Sequence, residues 1–316
     1  MTSRAFKQVD VFTSTAYFGN PLAVVMDGSG LDDAAMQRFA IWTNLSETTF
    51  LLPPTEPSAD YSLRIFTTEG ELPFAGHPTL GSCHSWLQAG GQPKSDAFIV
   101  QECKKGLIKI RRQGAMLAFA APAVARSNPE PGLLAQVLAA LGLQASQLVA
   151  AQALDNGPQW LGLLLDSADT VLQIKADYSE LARLGVWPGV AGLYPTEEAP
   201  PLIGRINREA RAFAPHQPAT HPPAAPPDFS PDIEVRAFMA QSEDPVTGSL
   251  NASLGQWLIA DGFLPTRYRA SQGTCMGRAG QVFVERDADG QAASTGSGQV
   301  WVGGASVTCI DGRVEI

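Results

Sequence analysis

The sequence predicts a mixed α+β protein made of two similar halves, and three observations carry that expectation. Short runs rich in β-branched and aromatic residues alternate with helical stretches in no simple strand-helix-strand repeat. The segment Glu71-Leu-Pro-Phe-Ala-Gly-His77 aligns with Glu243-Asp-Pro-Val-Thr-Gly-Ser249, matching Glu, Pro and Gly at equal spacing. After each copy comes a stretch rich in Ala, Gly, Ser and Leu, the composition of a helix that other elements approach closely on all sides. A duplicated fold with one buried central helix per half accounts for all three.

In chain order, Lys7 to Phe12 and Leu22 to Met26 read as strands joined through the turn residues Gly19-Asn20-Pro21. Met36, Phe39 and Ala40 recur at one-face spacing behind an Asp cap, so a helix is expected from about Asp32 to Asn44. Thr48 to Leu52 and Tyr61 to Phe66 read as strands, which places Glu47 at a helix-to-strand corner. The first central helix is expected over Pro78 to Gln88, with Pro in its first turn and Gly90-Gly91 past its end. Strands follow at about Phe98 to Gln101, Leu107 to Arg111 and Met116 to Ala120. The turn-rich segment from Pro122 to Gly132 is the expected boundary between the halves. In the second half, Pro215 to Pro231 holds seven prolines and reads as an extended surface loop. Glu234 to Phe238 reads as a strand leading into the second motif, and Leu250 to Ile259 as the second central helix. The stretch from Gly273 to Gly280 lacks the Lys-Ser/Thr pair of a phosphate loop and reads as a hairpin turn with Arg278 in a structural role.

Composition narrows the partners. With 316 residues, 45% hydrophobic and 17% charged, the chain has the make-up of a globular protein of one large or two ordinary domains. Its net charge of -9, with no clustered Lys/Arg face, argues against nucleic acid and anionic membranes and for small-molecule partners. Met1 to Lys7 lacks a secretory apolar run, and no stretch approaches the roughly 18 apolar residues of a membrane span, so a cytoplasmic protein is expected. Cys83, Cys103, Cys275 and Cys309 lie far apart with no paired spacing, which disfavours a zinc site and suggests free, mostly buried thiols.

The repeat also suggests chemistry. Free backbone N–H groups at a helix start bind anions, and Gly there lets a ligand approach the main chain. If the two starts, at Gly76-His77 and Thr247-Gly248-Ser249, face each other, they form a cleft suited to a small carboxylate. Asp244 and Ser249 are equally suited to turn and capping roles, and the two uses are compatible.

Four segments, Phe18-Gly-Asn-Pro-Leu-Ala-Val-Val25, Asn44-Leu-Ser-Glu-Thr-Thr-Phe50, Leu72-Pro-Phe-Ala-Gly-His-Pro-Thr79 and Glu243-Asp-Pro-Val-Thr-Gly-Ser249, resemble the signatures of the phenazine-biosynthesis isomerase family. The resemblance implies the diaminopimelate epimerase fold, two pseudo-symmetric lobes that are each a barrel-like, mostly antiparallel sheet around a central helix. The lobes would span residues 1–125, completed by a C-terminal strand at about 305–316, and residues 126–304. It also implies an isomerase resembling trans-2,3-dihydro-3-hydroxyanthranilate isomerase, a homodimer that needs neither metal nor organic cofactor. Glu47 is then the acid/base, and His77, Asp244 and Ser249, with Gly76, Thr247 and Gly248 of the two turns, line the substrate site.

Relatives in the same superfamily, the diaminopimelate epimerases and proline racemases, look to place a Cys immediately before the Gly of each turn. Here Ala75 and Thr247 stand there, which removes a two-thiol mechanism and leaves proton transfer by a carboxylic acid. Partial burial beside Leu45 and Phe50 would tune such a group toward neutrality. Taken alone, Glu47 would be a solvated helix-end residue and His77 a structural one. Ser249, His77 and Asp244 also invite a hydrolase reading, but the Gly-x-Ser-x-Gly elbow is missing. An amino-acid racemase using Glu47 and Asp244 as unequal bases, and a non-catalytic binder of small acids, remain open alternatives.

Overall fold

The computed structural model describes residues 2–195, 229–288 and 298–316, so most of the proline-rich segment from 215 to 231 lies outside the described residues. The first half runs β1 (Ser3–Val11), β2 (Asn20–Val25), α1 (Asp33–Thr43), β3 (Thr48–Leu52), β4 (Tyr61–Phe66), β5 (Glu71–Leu72), α2 (Gly76–Gln88), β6 (Ile99–Cys103), β7 (Gly106–Gln113) and β8 (Met116–Ala120). The second runs β9 (Ala125–Ser127), α3 (Pro131–Ala140), β10 (Leu148–Asp155), β11 (Gln159–Leu165), α4 (Ala168–Gln173), α5 (Tyr178–Leu184), β12 (Pro188–Leu193), β13 (Ile233–Phe238), β14 (Glu243–Asp244), α6 (Gly248–Ala260), β15 (Arg267–Gln272), β16 (Gly280–Arg286) and β17 (Val300–Gly304). The chain closes with β18 (Ser306–Glu315), which pairs antiparallel with β1.

The α+β duplication holds ladder by ladder. Strands β2/β3 and β4/β6 pair in parallel, each across a helical crossover, and β11/β12 and β13/β15 do the same in the second half. Their other neighbours are antiparallel. From β4 to α2 the offset is constant: residue n answers residue n + 172, as in Glu71 and Glu243 or Gly76 and Gly248. The two halves join edge to edge where β8 pairs antiparallel with β17, its own counterpart.

Each half wraps its central helix. Helix α2 packs against β1, β2, β3, β4, β8 and β18, and α6 against β11, β16 and β17. Both helices are buried nearly throughout, which explains their small and apolar composition. Leu250, Leu254, Trp257 and Leu258 of α6 are at most 1% exposed, each contributing about 2 kcal/mol by burial. They join β1, β2 and β8 residues in one apolar core that runs through both halves. The remaining helices cover the outer sheet faces, α1 over Val25, Phe50 and Phe66, and α3, α4 and α5 over Leu163, Val190 and Phe238.

The structure modifies two expectations. Asn20 and Pro21 are the first residues of β2, paired with Val11 and Asp10, so the turn ends before them. Only Cys83 of the four free thiols is buried, because Cys103 lies at a hairpin end, Cys275 in a turn and Cys309 on the terminal strand. The segment from 273 to 280 is a hairpin turn as expected, joining antiparallel β15 and β16 through a short 3-10 helix at Thr274–Met276. Among the described residues no helix is long and apolar enough to cross a membrane.

Candidate active site

The two central helices meet at their starts. A methyl group on Gly76 would lie 2.9 Å from the Cα of Gly248, and one on Gly248 would lie 2.9 Å from the Cα of Gly76. Glycine is therefore required at both positions by the contact of the helices with each other. Neither helix has a side-chain cap: Ala75 has nothing to offer, and the Thr247 hydroxyl turns to Asp244. The N–H groups of Gly76 and His77, and of Gly248 and Ser249, find no acceptor among the described residues. Two sets of donors, each at the positive end of a helix dipole, thus converge on one place.

Each start is held by an ion pair, the second-half pair the more deeply buried. Arg236 grips Glu243 through two hydrogen bonds of 2.9 and 2.8 Å and also donates to the carbonyls of Val171 and Ile174. Arg64 grips Glu71 in the same two-pronged way at 2.8 and 2.6 Å. The pairs pin the two-residue strands β5 and β14, and hence the turns that lead into α2 and α6. The repeated Glu of the sequence motif is the visible half of this device. Arg64 and Arg236 stand at the same 172-residue offset and were the signal for the other half.

Glu47 reaches the junction from the corner between α1 and β3. Asn44 ends α1 in a left-handed conformation, with φ 54°, and Thr43 and Thr48 hydroxyls bond across the corner at 2.8 Å. The Glu47 Oε2 atom lies 3.2 Å from His77 Nε2, without the alignment of a hydrogen bond. His77 Nδ1 faces the amide nitrogen of Asn20 at 3.3 Å. The same Asn20 amide donates to Asp244 Oδ1 and to the Val246 carbonyl, both at 3.0 Å. Thr247 Oγ1 donates to Asp244 Oδ2 at 2.5 Å. Glu47, His77, Asp244 and Thr247 therefore form one cluster across the two halves, with Asn20 at its centre.

Electrostatics follow from burial. Burial, and then the charge of Asp244, push the Glu47 carboxyl up to about 8, so it is mostly protonated at neutral pH. Burial pushes His77 down to about 3, keeping the ring neutral. Asp244 is also raised by burial, opposed by its bonds from Thr247 and Asn20. Glu47 still has 15% of its side-chain surface open, against 5% for His77, so it is the more accessible to a bound molecule.

Ser249 is the second-half counterpart of His77 but sits in different company. Its hydroxyl accepts from Trp160 Nε1 at 3.3 Å and its carbonyl from Asn156 at 2.9 Å, while Trp160 packs on Trp187 with centroids 5.7 Å apart. Thr48 and Pro188 open equivalent strands, so Trp187 occupies the place of Glu47. The site is thus symmetric in backbone and one-sided in chemistry: carboxylic acids on one flank, tryptophans on the other.

Sequence reasoning missed Asn20, which read as a turn residue, and Gln272, which carried no motif. Arg278 does act structurally, its guanidinium donating to the Tyr17 carbonyl at 2.8 Å and holding the loop before Asn20.

The model of the phenazine biosynthesis-like protein family matches residues 9–312. The chain is 33% identical to antisense-enhancing sequence 1 of Schizosaccharomyces pombe over 99% of both chains. It is 34% identical to trans-2,3-dihydro-3-hydroxyanthranilate isomerase of Pseudomonas fluorescens over 55% of this chain and 62% of that one. Its fold superimposes on the crystal structure of a PhzF-family phenazine biosynthesis protein from Bacillus anthracis with a TM-score of 0.78, at 19% identity and full coverage of both. With the family pattern matched across nearly its whole length, this chain belongs to the phenazine biosynthesis-like (PhzF) family.

Proposed function

We propose that the protein is an isomerase that moves a proton on a small cyclic carboxylate resembling trans-2,3-dihydro-3-hydroxyanthranilate, with Glu47 as the acid/base and no metal or organic cofactor. Family membership and the isomerase among its relatives support the reaction class. The observation that carries the assignment is the environment of Glu47: a carboxyl kept neutral near pH 7, partly open, beside a neutral His77 and opposite two open helix starts. A group poised near the working pH both gives up and takes back a proton readily, an effect of about two to four orders of magnitude in rate.

In this reading the N–H groups of Gly76, His77, Gly248 and Ser249 hold the substrate carboxylate. His77 and Asp244 hold its amine or hydroxyl, the Ser249 hydroxyl adds a polar contact, and Thr247 orients Asp244. A racemase with Glu47 and Asp244 as unequal bases fits less well, because Asp244 lies in the same cluster as Glu47 and both its oxygens already accept hydrogen bonds, from Asn20 and Thr247. The test is incubation of the protein with trans-2,3-dihydro-3-hydroxyanthranilate in D2O, followed by NMR. Loss of substrate with deuterium at a product carbon is expected. Binding without turnover or exchange, across this compound and a panel of cyclic amino and hydroxy acids, would favour the non-catalytic binder instead.

A further inference from the structure

Gln272 ends β15, fully buried beneath the second helix start, and its amide orientation is fixed by two backbone groups. The Thr247 N–H can only donate, and it does so to Oε1 at 3.0 Å. The Asp244 carbonyl can only accept, and it does so from Nε2 at 3.2 Å. Asn251 adds a second donor to Oε1 at 2.8 Å. Nε2 must therefore donate to Thr247 Oγ1, 2.9 Å away. A hydroxyl has one hydrogen, and with Gln272 filling an acceptor position it points to Asp244 Oδ2. On the other side the Val246 carbonyl fixes Asn20 in the same manner, so Asp244 Oδ1 also faces a donor.

We propose that Gln272 is a positioning residue: by holding the Thr247 hydroxyl as a donor it keeps both oxygens of Asp244 accepting, and so leaves the proton shared by the two carboxyls on Glu47. A proton on Asp244 Oδ1 would confront the Asn20 N–H, and one on Oδ2 would turn the Thr247 hydrogen away from the acceptor it now has, whereas Glu47 Oε2 faces only His77 Nε2, 3.2 Å away and out of line for a hydrogen bond. Of the other ionisable groups at the cluster, His77 is neutral, and Glu243, whose charge works the other way by raising Asp244, is paired with Arg236. The relay is one-sided, like the rest of the site. By ladder register Cys103 takes the place of Gln272 in the first half, and by the 172-residue offset Leu72 takes that of Asp244. The consequence for turnover rests on Glu47 being the proton carrier, but the proton's location does not.

The experiment is therefore read without substrate. Carboxyl carbon-13 NMR titration of protein labelled at Glu and Asp, assigned with Glu47→Gln and Asp244→Asn, gives the apparent midpoints of the pair. Relative to wild type, Gln272→Met and Thr247→Val should raise the Asp244 midpoint and lower that of Glu47 by roughly half a pH unit or more. The double variant should shift no further than Thr247→Val, because both act through one hydroxyl. Thr247→Ser, and Gln101→Met, which removes a buried amide bonded to Thr79 instead, should keep wild-type midpoints. Unchanged Glu47 and Asp244 midpoints in Gln272→Met, or shifts that add in the double variant, would overturn the proposal. If Gln272→Met does not fold, equal midpoints in Thr247→Val and Thr247→Ser would overturn it.

Discussion

Replacing Glu47 by Gln should make the protein more resistant to alkali, an outcome opposite to that of most substitutions at a buried polar residue. The carboxyl titrates near 4.5 in an unfolded chain and at about 8 in the folded one. Between those limits the folded protein holds a proton that the unfolded chain has released, so stability falls as pH rises through this window. Each pH unit costs about 1.4 kcal/mol, which gives an upper bound of about 5 kcal/mol across it. The 15% of the side chain open to water screens the charge and brings the expected figure to about 2–4 kcal/mol. Gln has the same shape and no proton to lose, so the variant should escape this loss. Urea unfolding followed by tryptophan fluorescence at pH 5, 7 and 9 measures it, and other titrating groups largely cancel between the two proteins. The gap in unfolding free energy should move in favour of the variant by that amount from pH 5 to pH 9. Parallel pH dependences would refute the reasoning, because Glu47 would then titrate as an ordinary carboxyl.

Other outcomes follow from the same geometry. Asp244→Asn removes the negative charge beside Glu47, so the Glu47 limb of a kcat/KM profile should move from about 8 toward acid while burial holds it above 4.5. Gly248→Ala places a methyl 2.9 Å from the Gly76 Cα and 3.2 Å from the His77 nitrogen. It should cost about 1–3 kcal/mol in thermal unfolding by overpacking and impair turnover as well. Arg236→Met leaves Glu243 buried and unpaired, which should cost about 3–5 kcal/mol in chemical denaturation. Adding Glu243→Leu to Arg236→Met should return most of that loss.

The parts of the fold legible in the sequence were those written by local pattern. The Asp32 cap, the β-branched and aromatic content of β3 and β4, and the Gly-bounded central helices each depend on neighbours within one turn or strand. The duplication was legible because Glu, Pro and Gly are needed twice for the same reasons: an ion pair, a turn and a helix contact at 2.9 Å. Contacts between distant segments left no local trace. Asn20 meets Asp244 across 224 residues, and Gln272 meets Thr247 across 25, so neither could be read from spacing. The one-sidedness of the site was half visible, in the pairing of His77 with Ser249. The replacement of Glu47 by Trp187 needed the strand register.

Solvent-deuterium exchange with the Glu47→Gln variant tests the central claim most directly. Wild-type protein should carry deuterium from D2O onto a carbon of its substrate, and the variant should bind that substrate with comparable affinity and show no exchange above background. Exchange at the wild-type rate in a folded, binding-competent Glu47→Gln protein would contradict the assignment of Glu47 as the proton carrier.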